Sequence, residues 1–236
     1  MSKLQLCLHH ELILLVLDDA KGSFKGVMYQ YGLAGALLSE LLLQGVIKVS
    51  ADDEQIVAVA IAKPTGDPLL DEVVKMIAES EKPQALKQWV YKAANIPKLC
   101  ERVADQLCQL GILRFEESKV LWLFTKKRYP ELDSSYDEAI RSRMAEVMFK
   151  PELKADDRTT VLIAIAKSCK ALAANFAPVE LSKHESRINE ICDGKQLAIE
   201  ATGEAIAAVQ ASMAAIYAAN TAANTAATAA ISAANI

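Results

Sequence analysis

Apolar residues recur along most of the chain at the three-and-four spacing of helices, with short β-branched stretches between them. Leu4 to Leu17 keeps that spacing and stops at the Asp18-Asp19-Ala20-Lys21-Gly22 turn, which predicts a first helix. Gly32 to Leu43 is apolar on almost every face and predicts a central, buried helix ended by Gln44-Gly45. Val46 to Val49 and Ile56 to Ile61 predict two short strands around Asp52-Asp53-Glu54. Asp67 can cap the helix that Pro68 opens, which runs from Leu69 to Glu79. Pro83 to Ala94 predicts the next helix, and Lys98 to Leu110 another, closed by Gly111. Ile112 to Phe115 and Lys119 to Thr125 flank Glu116-Glu117-Ser118 and predict a β-hairpin. Helices follow over Ser134 to Phe149, Asp156 to Ala173 and Leu181 to Ile191.

No strong linker divides these elements. They predict one globular, mainly α domain over residues 1–200 with a short β-hairpin, then an Ala-rich C-terminal helix or tail over 201–236. In that tail Ile206, Val209, Met213 and Ile216 fall at spacings of three, four and three, a seam for one partner surface. Two readings stand: a helix that packs on the body and frays, or a self-association helix whose small residues let backbones approach. The stretch after Glu204 is uncharged, but its apolar content is mostly Ala, interrupted by Gln210, Asn220 and Asn224. It lacks the Leu, Ile and Phe that membrane insertion needs.

Composition narrows the function classes. The chain has 236 residues, 52% apolar and 24% charged, which excludes disorder of the whole. Its 26 Lys plus Arg oppose 30 Asp plus Glu, so no global basic field exists and binding to nucleic acid through bulk charge is excluded. An anionic partner would need a local basic patch. The five cysteines include no C-x-x-C pair and read as free thiols of a reducing compartment. With no charged n-region and long apolar run at the start, a cytoplasmic protein is expected.

Enzyme signatures are scarce. The nucleophile elbow, the zinc-protease motif, the P-loop and the dinucleotide fingerprint are all missing, so neither catalysis nor a cofactor is predicted. Of the three histidines, His9 and His10 are adjacent, so on a helix they point about 100° apart and read as boundary residues, unable to chelate as an i, i+4 pair would. Asp67, Asp71 and Glu72 read as capping and first-turn charge compensation, and Gly32 and Gly35 as close helix packing. The sequence Val120-Leu121-Trp122-Leu123-Phe124 followed by Lys126-Lys127-Arg128 is more suggestive. Trp122 and Phe124 beside three cations suit an anionic membrane or a second subunit; a buried strand followed by a solvated turn is the other reading.

The run Lys63-Pro-Thr-Gly-Asp-Pro-Leu-Leu-Asp-Glu72 resembles the Golgi phosphoprotein 3 family. Asp18, Gly22, Gly32-Leu-Ala-Gly35, Glu40-Leu and Gly45 match upstream of it. Glu101-Arg102, Leu107, Gly111-Ile-Leu113, Asp157-Arg158-Thr-Thr-Val-Leu162 and Asn175-Phe-Ala-Pro178 match downstream, so the likeness runs from Leu4 to Ile191. The resemblance implies a largely helical domain whose hairpin helps build oligomers. It also implies binding of phosphatidylinositol 4-phosphate, by peripheral adaptors that hold glycosyltransferases in the Golgi through coatomer.

In the family's lipid pocket a Trp and three Arg grip the headgroup. Those positions here are Lys25, Ala34, Pro97 and Cys100, so selectivity for phosphatidylinositol 4-phosphate is not carried over with them. Lys25, Lys98 and Arg102 stay nearby as candidates for a headgroup site. The family's basic N-terminal arm is expected to be missing, as in a minimal, bacterial-type member. The expected function is therefore a peripheral, non-enzymatic adaptor on anionic lipid, with Trp122, Phe124, Lys126, Lys127 and Arg128 touching the membrane or another subunit. A lipid-independent, homo-oligomeric interaction scaffold is the alternative.

Overall fold

The computed structural model describes residues 5–17, 22, 29–49, 55–58, 64–120, 124–150, 152–153 and 156–193, with backbone alone for 55–58, 118–120 and 124–126. The Ala-rich segment 201–236, Lys25, Trp122 and the predicted end of the second strand at Ile61 lie outside the described residues. Among those described, no helix is long and apolar enough to cross a membrane.

Helices dominate, as the three-and-four spacing predicts. Three that are apolar nearly all round form the centre: α1 (Leu8–Val16), α2 (Tyr29–Leu43) and α7 (Asp157–Ser168). They touch one another. Every residue of α1 is buried, as are Leu33 to Leu42 in α2 and Thr159 to Ala166 in α7. A helix hydrophobic on all sides belongs in the interior. Gly32 shows how tightly α1 and α2 meet: a Cβ there would lie 3.2 Å from Leu12 Cδ2 and 3.3 Å from Cys169. The Gly32–Gly35 region is thus a packing device.

Amphipathic helices wrap that centre. α3 (Pro68–Ala78) buries Leu69, Leu70, Val73, Val74 and Ile77 and leaves its other face to solvent. α4 (Leu86–Ala94) buries Trp89, Val90 and Ala93; α5 (Leu99–Gln109) buries Leu99, Val103 and Leu107. α6 (Ser135–Phe149) buries Ile140, Met144 and Met148. Three short helices close the body: α8 (Ala171–Asn175), α9 (Pro178–Lys183) and α10 (Glu185–Cys192).

Several predicted boundaries move. The span Asp156 to Ala173 is broken at Lys170, whose φ of 63° ends α7 and starts α8. Leu181 to Ile191 divides at His184, the C-cap of α9 and the N-cap of α10. Pro83 to Ala94 is not helix throughout: Gln84–Ala85 is a strand, β3, pairing antiparallel with β2 (Gln55–Ala58), which in turn pairs with β1 (Ile47–Val49).

The hairpin is real, but its turn is elsewhere. β4 (Glu116–Val120) pairs with β5 (Phe124–Arg128), with Glu116 opposite Arg128, Glu117 opposite Lys127 and Val120 opposite Phe124. Glu116-Glu117-Ser118 is therefore strand, and residues 121–123 connect the two. Polar composition suggested a turn where cross-strand charge pairs stabilise a ladder. Gly22 anchors the hairpin's base: its carbonyl accepts from Tyr129 N–H at 2.7 Å, and φ is 57°. A Cβ there would lie 2.7 Å from the backbone nitrogens of Tyr129 and Pro130.

Candidate functional site

Two regions bear on function: the surface where α5 meets the hairpin, and a buried polar cluster between α1 and α3. On the surface, Lys98 is exposed and caps α5 with φ at 55°, the left-handed region. Its carbonyl accepts the Arg102 N–H at 2.9 Å, so the two predicted headgroup residues sit one turn apart. Arg102 is not free: its Nη2 donates to Glu72 Oε2 on α3 at 2.5 Å.

Lys127, exposed on β5, donates from Nζ to Glu101 Oε2 on α5 at 2.5 Å. That hydrogen bond, followed by the Glu101 charge, raises the Lys127 ammonium. The contact joins the predicted headgroup helix to the predicted contact strand. Arg128 is exposed at the strand end opposite Glu116, whose carboxylate accepts from Arg114 Nη2 at 2.5 Å. The basic run is thus strand, with acids opposite Lys127 and Arg128, and not a turn. Of the other candidates, Phe124 and Lys126 are placed on β5 by backbone only, and Lys25 and Trp122 lie outside the described residues. At positions that the sequence resemblance aligns with a lipid pocket, Ala34 is buried in α2, Pro97 is exposed and Cys100 is half-buried at the start of α5.

The buried cluster corrects the reading of His9 and His10. Both are buried, and their ring centroids are 4.2 Å apart. Cβ directions 100° apart do not keep the rings apart, because rotation about the side-chain bonds lets both tips turn to one partner. That partner is Asp67. His9 Nε2 lies 2.9 Å from Asp67 Oδ2, and His10 Nε2 lies 3.8 Å from the same oxygen.

Asp67 is held from behind as well. Its Oδ1 accepts from Leu69 N at 2.8 Å, Leu70 N at 3.3 Å and Gln106 Nε2 at 3.0 Å. The capping role expected from Asp67-Pro68 is therefore present, and the second oxygen is turned to the histidines. Asp71 serves the same turn: its Oδ1 accepts from both the N–H and the hydroxyl of Thr65 at 2.8 Å. Cys7 caps α1 and completes the group. One ligand-capable atom from each of Cys7, His9, His10 and Asp67 lies within 4.8 Å of the others.

Burial and charge set the protonation of this group. Burial pushes His10 down, helped by His9, to about 4, so its imidazole is neutral. Burial, then the Glu40 and Asp67 charges, pushes the Cys7 thiol up to about 12. Burial alone would raise Asp67, but the His9 hydrogen bond and charge, with Gln106 and Leu69 N–H, hold it well below the usual carboxylate range. The contact is invisible to short-range patterns, since His9 and Asp67 are 58 residues apart and His10 and Gln106 are 96 apart. The usable sequence signal was Cys-x-His-His ahead of a capping Asp. A cavity of about 410 Å³ lies elsewhere, between α7 and α10, lined by Lys167, Lys170, Leu181 and Glu185.

Comparison with known proteins gives the chain's family. A family model described as Golgi phosphoprotein 3 (GPP34) matches residues 8–210. The Vacuolar protein sorting-associated protein 74 of Schizosaccharomyces pombe (strain 972 / ATCC 24843) is 29% identical over 230 residues, covering 81% of this chain and 68% of that protein. The protein of the same name from Eremothecium gossypii is 28% identical over 226 residues, covering 83% of this chain and 68% of its own length.

Proposed function

We propose that this chain, which belongs to the Golgi phosphoprotein 3 family, is a peripheral adaptor that docks on anionic lipid through the surface where α5 meets the hairpin. The observation that carries the reading is the Lys127–Glu101 contact at 2.5 Å, which sets the exposed strand end of the hairpin beside the helix that starts with exposed Lys98. Lys25, Lys98 and Arg102 are the headgroup candidates; Trp122, Phe124, Lys126, Lys127 and Arg128 are the contact candidates at the bilayer.

The chemistry favours charge over headgroup recognition. A bidentate grip on phosphate needs a guanidinium with both nitrogens available. Arg102 is engaged by Glu72, and Ala34, Pro97 and Cys100 carry no guanidinium. Binding should follow surface charge and weaken with salt. The test is sedimentation with vesicles containing phosphatidylinositol 4-phosphate or phosphatidylglycerol at matched charge, at two salt concentrations. Comparable binding to both, lost at high salt, is the expected result. Lys98→Gly should weaken binding about fivefold, from about 1 kcal/mol per basic residue near the surface. Strong preference for the phosphoinositide would refute the charge-only part, and no binding to either would refute the lipid reading.

A second reading has its own observation. Leu110, Phe115 and Leu132 are 46%, 45% and 57% exposed around the hairpin base, where Leu132 N–H donates to Ile112 O. Apolar side chains left to water there suit self-association, the lipid-independent scaffold. Light scattering that gives a monomer at all concentrations would remove it.

A further inference from the structure

The geometry points to a binding site for a divalent cation of the Zn²⁺ class, formed by Cys7, His9, His10 and Asp67 at the junction of α1 and α3. Four ligands of types suited to zinc converge here with ligand atoms no more than 4.8 Å apart. Tetrahedral zinc bonds of the usual lengths put ligand atoms about 3.3–3.6 Å from one another, so the site needs to draw in by about 1 Å.

Charge fits. One thiolate and one carboxylate neutralise a dication, and the two imidazoles bind as neutral rings, so the occupied site would bury no net charge. His10 Nε2 lies 3.0 Å from Gln106 Oε1, an acceptor, which places the ring proton on Nε2 and leaves Nδ1 with its lone pair. Cys7 carries its proton in the free site; on binding, a Cys7 sulfur–metal bond replaces the S–H bond and the proton leaves to solvent.

His9 supplies the observation that protein groups leave unexplained. It is fully buried, its Nε2 faces Asp67, and its Nδ1 has no hydrogen-bond partner among the described residues. A buried imidazole with one unmet nitrogen is costly unless something else engages the ring. Support from behind is in place too. Asp67 Oδ1 is fixed by two backbone N–H groups and Gln106, while Oδ2 faces the two histidines. Entry is available along the half-buried Cys7.

The consequence would be a pin between the first helix and the Pro-Thr-Gly-Asp turn, elements far apart in the chain. The experiment is titration of the full chain, stripped of metal, with Co²⁺ as a spectroscopic probe and then Zn²⁺ as competitor. The expected result is one equivalent of Co²⁺ with tetrahedral visible bands and a thiolate charge-transfer band, displaced by Zn²⁺. Cys7→Ser, a nearly isosteric change at a half-buried position, should abolish the charge-transfer band. It should weaken Zn²⁺ by more than the roughly 10–100-fold that loss of an outer hydrogen-bond partner costs. His10→Asn, checked for folding by circular dichroism, should weaken it similarly. Absence of stoichiometric binding would overturn the proposal. So would a spectrum unchanged in both folded variants, which would assign the ion to other thiols.

Discussion

Replacing Arg158 by Met should destabilise the fold by about 3 kcal/mol, because it would strand a buried carboxylate. Glu40, on α2, has a side chain only 3% exposed, and Arg158, on α7, is 19% exposed. The guanidinium grips both oxygens, with Nη2 to Oε2 at 2.7 Å and Nη1 to Oε1 at 3.1 Å, and it also donates to Leu6 O at 2.6 Å. Glu40 in turn accepts from Leu8 N at 2.7 Å and Gln44 Nε2 at 2.8 Å. One ion pair therefore ties the start of α1 to both other central helices.

Removing one member of a buried pair costs about 3–5 kcal/mol, and the partial exposure of Arg158 argues for the low end. For a domain of this size that is about 6–12 °C in melting temperature. The assay is urea unfolding of wild type, Arg158→Met, Glu40→Met and the double variant. The double variant should cost less than the sum of the singles, because removing both charges leaves no bare carboxylate, although the Leu8 N–H then lacks its acceptor. The pH dependence gives an independent check. Burial works to raise Glu40, but the Arg158 hydrogen bond and charge more than reverse it, so its folded value lies below the ordinary 4.5. A depressed carboxylate stabilises the fold above its unfolded value, and that contribution is lost as pH falls from 4.5 through the lower folded value. The gap between wild type and Arg158→Met should narrow in that window. A cost below about 1 kcal/mol, or an additive cycle, would refute the reasoning.

Two further substitutions probe the backbone around the candidate surface. Gly22→Ala should cost about 1–3 kcal/mol, because a Cβ would meet the Tyr129 and Pro130 backbone at 2.7 Å in a left-handed conformation; an unchanged melting temperature would contradict this. Lys98→Gly should leave stability within about 0.5 kcal/mol of wild type, since relief of a left-handed φ of 55° offsets the greater flexibility of the unfolded chain, as urea unfolding can verify.

The sequence carried the fold wherever the cause was local or periodic. Asp67 before Pro68 was readable as a cap because the bonds it makes, to Leu69 and Leu70, are two and three residues away. The central helices were readable because burial on every face removes polar positions from the pattern. What escaped was set by partners distant in sequence. β3 is two residues long and exists because β2 lies beside it. Glu116-Glu117 looks like a turn until Lys127 and Arg128 are placed opposite. The four-residue cluster is assembled across the α1–α3–α5 junction, and ideal helical geometry argued against it.

The same charge arrangement separates the two candidate chemistries. Near α5 and the hairpin, several cations already face an acid: Arg102 faces Glu72, Lys127 faces Glu101, and Arg114 faces Glu116. These pairs are partly exposed, so each is weak and is screened by salt. A membrane of high negative charge could compete for them, but a single headgroup would have to displace a carboxylate at 2.5 Å to reach Arg102. At the cluster the balance is reversed. Cys7 and Asp67 offer two negative charges to a dication, the two imidazoles add none, and the low dielectric that makes an unpaired charge costly there strengthens binding once the ion is in place. Selectivity should therefore reside in the buried cluster, and membrane attachment at the surface should depend on total charge.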